Sequence, residues 1–196
     1  MAGIQYSIRK NRWDRAILSG MEPTPAGVRS TNEQTDHYFV LSALDSGMED
    51  CKWGRLKFSL QLEENSVFYL YAAASNDLEA GEGLFEEQAS FAGRKAHFSR
   101  LSGVRFINQS DVLLYGLEGR YLWIGAELIG TAASVSDMKV LVPGDNFMQV
   151  FPEVYRERNS FFHRYISVYS SLYNDFQEQI DQRDQLYDIA SAKRPQ

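Results

Sequence analysis

Apolar and polar positions keep no fixed period over residues 1–36, where Trp13, Ala16, Ile17 and Leu18 form a short apolar cluster. MEPTPAGVRSTNEQTD contains two prolines and no repeat, which predicts an irregular N-terminal arm or long loop. Trp13 and Ile17 could tuck into the same chain or reach a neighbour, and the intramolecular packing is the expectation. From His37 the rhythm changes to a period of two. HYFVLSAL reads as a strand closed by the turn cluster Asp45-Ser46-Gly47. In KWGRLKFSLQL, Trp53, Arg55, Lys57, Ser59 and Gln61 point one way, while Leu56, Phe58, Leu60 and Leu62 point the other. The polar run Glu63 to Ser66 then reads as a turn into VFYLYAAAS, giving an antiparallel hairpin.

Residues 76–103 break the strand rhythm and predict an insertion with at most one short helix, Leu84 to Ala92. VRFINQ, DVLLYGL, RYLWIGAELIG and MKVLVP supply four further strands, separated by Ser110-Asp111, Glu118-Gly119 and Thr131 to Asp137. Seven short strands with polar turns point to a two-layer sandwich rather than a parallel α/β sheet. Pro143-Gly144-Asp145-Asn146 marks its end.

Beyond it the period changes again. Phe161, Phe162, Tyr165, Ile166, Tyr169, Leu172, Tyr173, Phe176 and Ile180 recur at steps of three and four, the stripe of an amphipathic helix. Arg164, Ser167, Ser171, Asp175, Glu178 and Gln182 occupy the other face, and Asn159 or Ser160 can cap the start. Aromatic side chains bury large areas and favour interfaces, so these nine residues are the candidate contact face. The expected fold class is α+β, mainly an antiparallel β-sandwich followed by a long C-terminal amphipathic helix. The expected organisation is an arm over 1–36, a sandwich over 37–143 with an insertion at about 76–103, a connector over 144–158 and a helical assembly segment over 159–190.

Composition narrows the function classes. A net charge of −6 gives no whole-chain footprint for nucleic acid. No run approaches the roughly 18–20 apolar residues of a membrane helix, and the basic start lacks the apolar centre of a signal peptide. The single cysteine, Cys51, excludes an internal disulfide and suits a reducing compartment. A soluble protein made in the cytoplasm is expected.

Catalytic chemistry finds no anchor. His37, His97 and His163 stand at no metal-ligand spacing. Gly81-Glu82-Gly83 lacks the strand and the Gly-Lys-Ser/Thr of a phosphate loop. Neither Ser46 nor Ser102 has the preceding glycine of a nucleophile elbow. Cys51 beside Lys52 has the surroundings of a lowered thiolate, although a lone cysteine more often serves as a small hydrophobe. Glu63-Glu64 and Glu86-Glu87 read as solvated turn charge. The expectation is no catalytic residue, no metal site and no cofactor. Trp53 and Trp123, if exposed on the sandwich, could stack on sugar rings, which makes a carbohydrate-binding module the alternative.

Three ordered stretches carry a resemblance. LDSGMEDCKWGRLKFSLQLEENSVFYLYAAAS, then GRYLWIGAELIG with MKVLVPGDNFMQVFPEVYRE, then NSFFHRYISVYSSLYNDFQEQIDQ, together covering about residues 41–183, resemble the phage tail protein I type of baseplate protein. That family occurs in phage tails, tailocins and extracellular contractile injection systems. The resemblance implies a non-enzymatic baseplate wedge subunit, which joins larger wedge proteins through a helical bundle and helps to hold and trigger the sheath. It further implies a hetero-oligomeric wedge repeated six-fold, with sheath or spike-hub proteins as further neighbours. Such a chain would end in an assembled particle, with no nucleic-acid partner and no membrane insertion. On that resemblance the stripe from Phe161 to Ile180 is a bundle face.

Overall fold

The computed structural model describes residues 4–31, 37–87, 89–114 and 116–142, together with Ile166, Tyr169, Leu172, Tyr173, Phe176, Ile180 and Arg183. The chain divides into two units, and the larger one, Ile4–Val142, ends beside the proline-glycine cluster. In this unit the strands are β1 (Ile4–Ser7), β2 (Ile17–Ser19), β3 (Met21–Pro23), β4 (Gly27–Ser30), β5 (His37–Val40), β6 (Leu44–Asp45), β7 (Arg55–Leu62), β8 (Val67–Ser75), β9 (Val104–Ile107), β10 (Asp111–Leu113), β11 (Tyr121–Ile129) and β12 (Ala133–Val142). A helical turn, α1 (Lys10–Trp13), follows β1. A 3-10 helix (Glu79–Leu84) and α2 (Phe91–Arg100) lie between β8 and β9.

The strands form two six-stranded antiparallel sheets. One runs β10-β7-β12-β4-β3 with β1 also on β12, and the other runs β2-β5-β11-β8-β9 with β6 also on β11. From β4 onward the chain changes sheet at nearly every step. The central orders β4-β12-β7-β10 and β5-β11-β8-β9 are the two sheets of a jelly roll. Leu56, Phe58, Val135 and Val140 from the first sheet share one core with Phe39, Phe68, Leu70 and Ile124 from the second. Phe58 meets Phe68 across that core, with ring centroids 5.9 Å apart. Each such side chain contributes about 1.5–3 kcal/mol on burial.

Several expectations change. Residues 4–31 are not an irregular arm, because they supply β1 to β4 and add to both sheets. Trp13 is fully buried and meets Phe39 edge-on, with centroids 5.2 Å apart, so this segment does tuck into its own chain. Pro23 hid β3 from a periodicity reading. It is tolerated because β3 is an edge strand, where a missing N–H costs no ladder bond.

The expected hairpin of β7 and β8 is also replaced. These strands lie in opposite sheets, and Glu63 to Ser66 carries the chain across the core edge. Beside it, Gly130 to Ala132 carries β11 back to β12. Thr131 N–H donates to Ser66 Oγ at 3.2 Å, Thr131 Oγ1 donates to Glu63 Oε2 at 3.1 Å, and Glu63 N–H donates to Ala132 O at 3.2 Å. Gly130 (φ +131°) lies so close to Ser66 that a Cβ would fall 2.6 Å from its Cα. β12 starts at Ala133, inside the stretch read as a separator, and a bulge between Ser136 and Lys139 interrupts its alternation.

The insertion covers the outer face of the second sheet. Its helix is Phe91–Arg100, later than the expected Leu84 to Ala92. Ser90 Oγ caps it by accepting from Gly93 N–H at 3.3 Å. Phe91 and Phe98 pack on Tyr71, with Leu84, Ala73 and Trp123 completing a second apolar cluster. A Cβ on Gly125 would fall 2.9 Å from the Phe98 ring, and one on Gly81 would fall 2.2 Å from the Trp123 ring. The Gly81-Glu82-Gly83 run is therefore a packing device. Because both faces of β8 and β11 are covered at their centres, their sequences are near-continuous apolar runs.

Arg94 holds this layer together. It is 2% exposed, and its guanidinium donates to three main-chain carbonyls: Nε to Leu84 O at 2.8 Å, Nη2 to Glu86 O at 2.8 Å, and Nη1 to Ala89 O. Arg94→Leu removes the donor from all three carbonyls, of which that of Leu84 is buried, at a cost of about 3 kcal/mol. The expected result is fast amide exchange over residues 84–100 while β7 and β12 keep their protection, measured by hydrogen–deuterium exchange mass spectrometry.

Candidate assembly surface

At the end of the sandwich opposite the Glu63 turn, a second pair of crossovers runs side by side, Ser46 to Gly54 and Leu114 to Arg120. LDSG and GRYLW, far apart in the chain, meet there. β6 pairs with β11 through Asp45↔Tyr121 and Leu44↔Leu122. Arg120 Nε donates to Asp45 Oδ1 at 2.7 Å and Nη2 to Asp45 Oδ2 at 2.9 Å, the planar two-point fit of guanidinium to carboxylate. Ser46 N–H and Oγ both donate to Arg120 O, at 3.0 and 2.9 Å. Asn76 Oδ1 accepts from the N–H groups of Asp50 and Arg120, each at 2.9 Å. Trp53 Nε1 donates to Gly119 O at 2.9 Å. Gly119 (φ +149°) must be glycine, since a Cβ would fall 2.5 Å from the Ser75 backbone.

These contacts settle several sequence candidates. Trp53 and Trp123 are 2% and 1% exposed, so neither offers a face to a sugar. Cys51 is buried, and burial raises its thiol pKa despite a hydrogen bond from Ser46 that acts the other way. A thiolate is therefore disfavoured, and Cys51 packs in the core as the small hydrophobe the sequence favours. His37 and His97 serve as packing groups, each with Nε2 within hydrogen-bond distance of a carbonyl: Thr31 O at 3.2 Å and Ala80 O at 2.7 Å. His163 lies outside the described residues. Among the described residues no group of three or more His, Cys, Asp or Glu is placed to hold a metal ion. Among them, too, no helix is long and apolar enough to cross a membrane.

Of the nine candidate contact residues, Phe161, Phe162 and Tyr165 lie outside the described residues. The long C-terminal helix as a whole lies outside them too. Ile166, Tyr169, Leu172, Tyr173, Phe176 and Ile180 are described, and each is helical. At 3.6 residues per turn these six fall within an arc of about 120°. Ile166 is 9% exposed, whereas Tyr169, Leu172, Tyr173, Phe176 and Ile180 are 42–63% exposed. These five recur at helical spacing, while the other large exposed hydrophobics among the described residues are Met48, Leu78, Ile107 and Ile129. Such a series marks a contact surface more often than scattered single residues do.

No family model matches the chain, and no curated protein matches it. Among solved structures it is similar to the Glycosylation Associate Protein (Gap123) complex from Streptococcus agalactiae, with a TM-score of 0.45 and 7% identity over 73% of this chain. The chain spans 26% of the length of that protein. A likeness of this degree assigns no function.

The Asp45–Arg120 pair is open to a direct check. The hydrogen bonds from Arg120 and from Gly47 N–H hold the Asp45 carboxyl down at about 2, from its ordinary 3.8. A carboxyl that titrates lower when folded stabilises the fold fully above about 4 and loses that contribution as pH falls towards 2. Carboxyl-carbon NMR is expected to place the Asp45 midpoint near 2 in the native chain. In Arg120→Ala the midpoint is expected to return to about 3–4.

Proposed function

We propose that this protein is a structural baseplate wedge subunit of a phage tail-like contractile injection machine. It joins larger wedge proteins through a helical bundle and helps to hold and trigger the sheath. The observation that carries this reading is the exposed apolar series Tyr169, Leu172, Tyr173, Phe176 and Ile180 on helical positions. Counted with Ile166, the residues Ile166, Tyr169, Tyr173, Phe176 and Ile180 alternate steps of three and four, the spacing of a seam that seats against another helix.

Two further observations support it. The resembling stretches follow one order along the chain. Asp45, Ser46, Glu63, Ser66 and Arg120 of the first two tie crossovers together, an architectural role. The sandwich would then be a scaffold that presents the C-terminal segment, and the machine's chemistry would lie in other subunits. On this reading the protein is not an enzyme and takes no cofactor.

Co-expression with the larger wedge protein encoded beside it, followed by pull-down, tests the proposal. The full chain is expected to capture that protein, and a chain lacking residues 147–196 is not. Leu172→Glu with Phe176→Glu should lower capture by about a hundredfold while the melting transition of the sandwich stays within about 1 °C, because these side chains contribute to contact rather than to the core. Undiminished capture by the double variant would refute the assignment of this face.

A further inference from the structure

The second sheet ends in β9, whose outer edge has no neighbouring strand among the described residues. Asn108 N–H donates to Phe68 O at 2.9 Å, and Phe68 N–H donates back to Asn108 Oδ1 at 2.7 Å. Antiparallel pairing alternates, so with Asn108 turned towards β8, Phe106 and Val104 turn the same way. The peptide groups of Arg105 and Ile107 then face outward. No proline or bulge blunts this edge, and its only charged residue is Arg105.

An apolar patch adjoins the edge. Ile107 stands opposite Tyr69, and Ile129 stands opposite Val67, all four on the face that α2 leaves uncovered at this end. Ile107 and Ile129 are 44% and 54% exposed. The chain leading into β9 is basic. Residues 94–105 hold four Lys or Arg and no carboxylate, in a chain of net charge −6. Lys95 is engaged with Glu127 at 3.0 Å and Arg94 is buried. Arg105 rests over the Tyr69 ring at 5.6 Å, and among the described residues neither Arg100 nor Arg105 forms an ion pair.

We infer that the outer edge of β9 receives an extended acidic segment of a partner protein as an added strand. The segment's backbone bonds the outward groups of Arg105 and Ile107; of its side chains on the outer face, an apolar one covers Ile107 and a carboxylate two residues away meets Arg105. A second copy of this chain fits less well, since pairing β9 with itself brings two Arg105 side chains to one face. The inference uses no residue of the C-terminal apolar series and does not depend on the baseplate reading.

The test uses the full chain and an end-blocked, fluorescent eight-residue peptide, Thr-Glu-Thr-Val repeated twice, which puts glutamate and valine on one face, followed by anisotropy. Three comparison peptides or variants accompany it. The same peptide with lysine for glutamate should not bind, and the glutamate peptide N-methylated at every amide should lose binding because its donors are gone. Arg105→Glu should weaken the glutamate peptide by about tenfold and admit the lysine peptide. Slowed amide exchange at Arg105 and Ile107 on adding the glutamate peptide is also expected. Equal binding of the two charge types, survival of binding on N-methylation, or self-association of the chain through β9 would each overturn the inference. The peptide arms require no change to the protein, so misfolding of a variant cannot imitate the expected result.

Discussion

Everything in this fold depends on the chain crossing repeatedly between two sheets packed about 10 Å apart. A strand followed by its hairpin partner stabilises itself locally, but most strands here are followed by one in the opposite sheet, so the short crossovers must be fixed by contacts of their own. They run in pairs at both ends of the sandwich. At one end Glu63, Ser66 and Thr131 tie the β7–β8 and β11–β12 passages together. At the other, Ser46, Trp53, Gly119 and Arg120 tie β6–β7 to β10–β11. Long-range polar contacts therefore do the work that turn geometry does in a meander.

The second sheet gains a further layer from the insertion, and the first does not. Trp123, Tyr71 and Ala73 face outward from β8 and β11 and would be wet without the helix. A buried guanidinium bonded to three carbonyls is a strong way to fasten a polar segment over such a face. It gives three of the loop's carbonyls a donor without asking the loop to form regular structure. The layer stops short of Ile107 and Ile129, so one sheet presents a dry centre and an exposed apolar margin.

Much of this was legible in the sequence, for reasons that differ by element. β7 and β11 announced themselves, one by strict alternation and the other by an apolar run. β3 and β4 did not, because three or four residues with a proline carry no period. The β7–β8 connection was misread because four polar residues serve equally as a hairpin turn or as a passage between sheets; only the partners across the core decide. Ser90 ahead of Phe91 was a usable start signal for α2, missed because just two aromatic anchors follow it at helical spacing. The apolar stripe was visible in its steps of three and four. The Asp45–Arg120 pairing was invisible, since 75 residues separate its members and no local pattern links them.

The position of β12 has a mechanical consequence. It is a central strand of its sheet, bonded to β7 along one side and to β4 and β1 along the other, and Val142 is its last residue. Tension applied to Val142 along the axis of β12 meets both flanking ladders. The ladder bonds on both sides are then loaded together in shear, and none can be peeled away singly. The sandwich resists such an axial pull as a unit, and passes the load into both neighbouring strands at once.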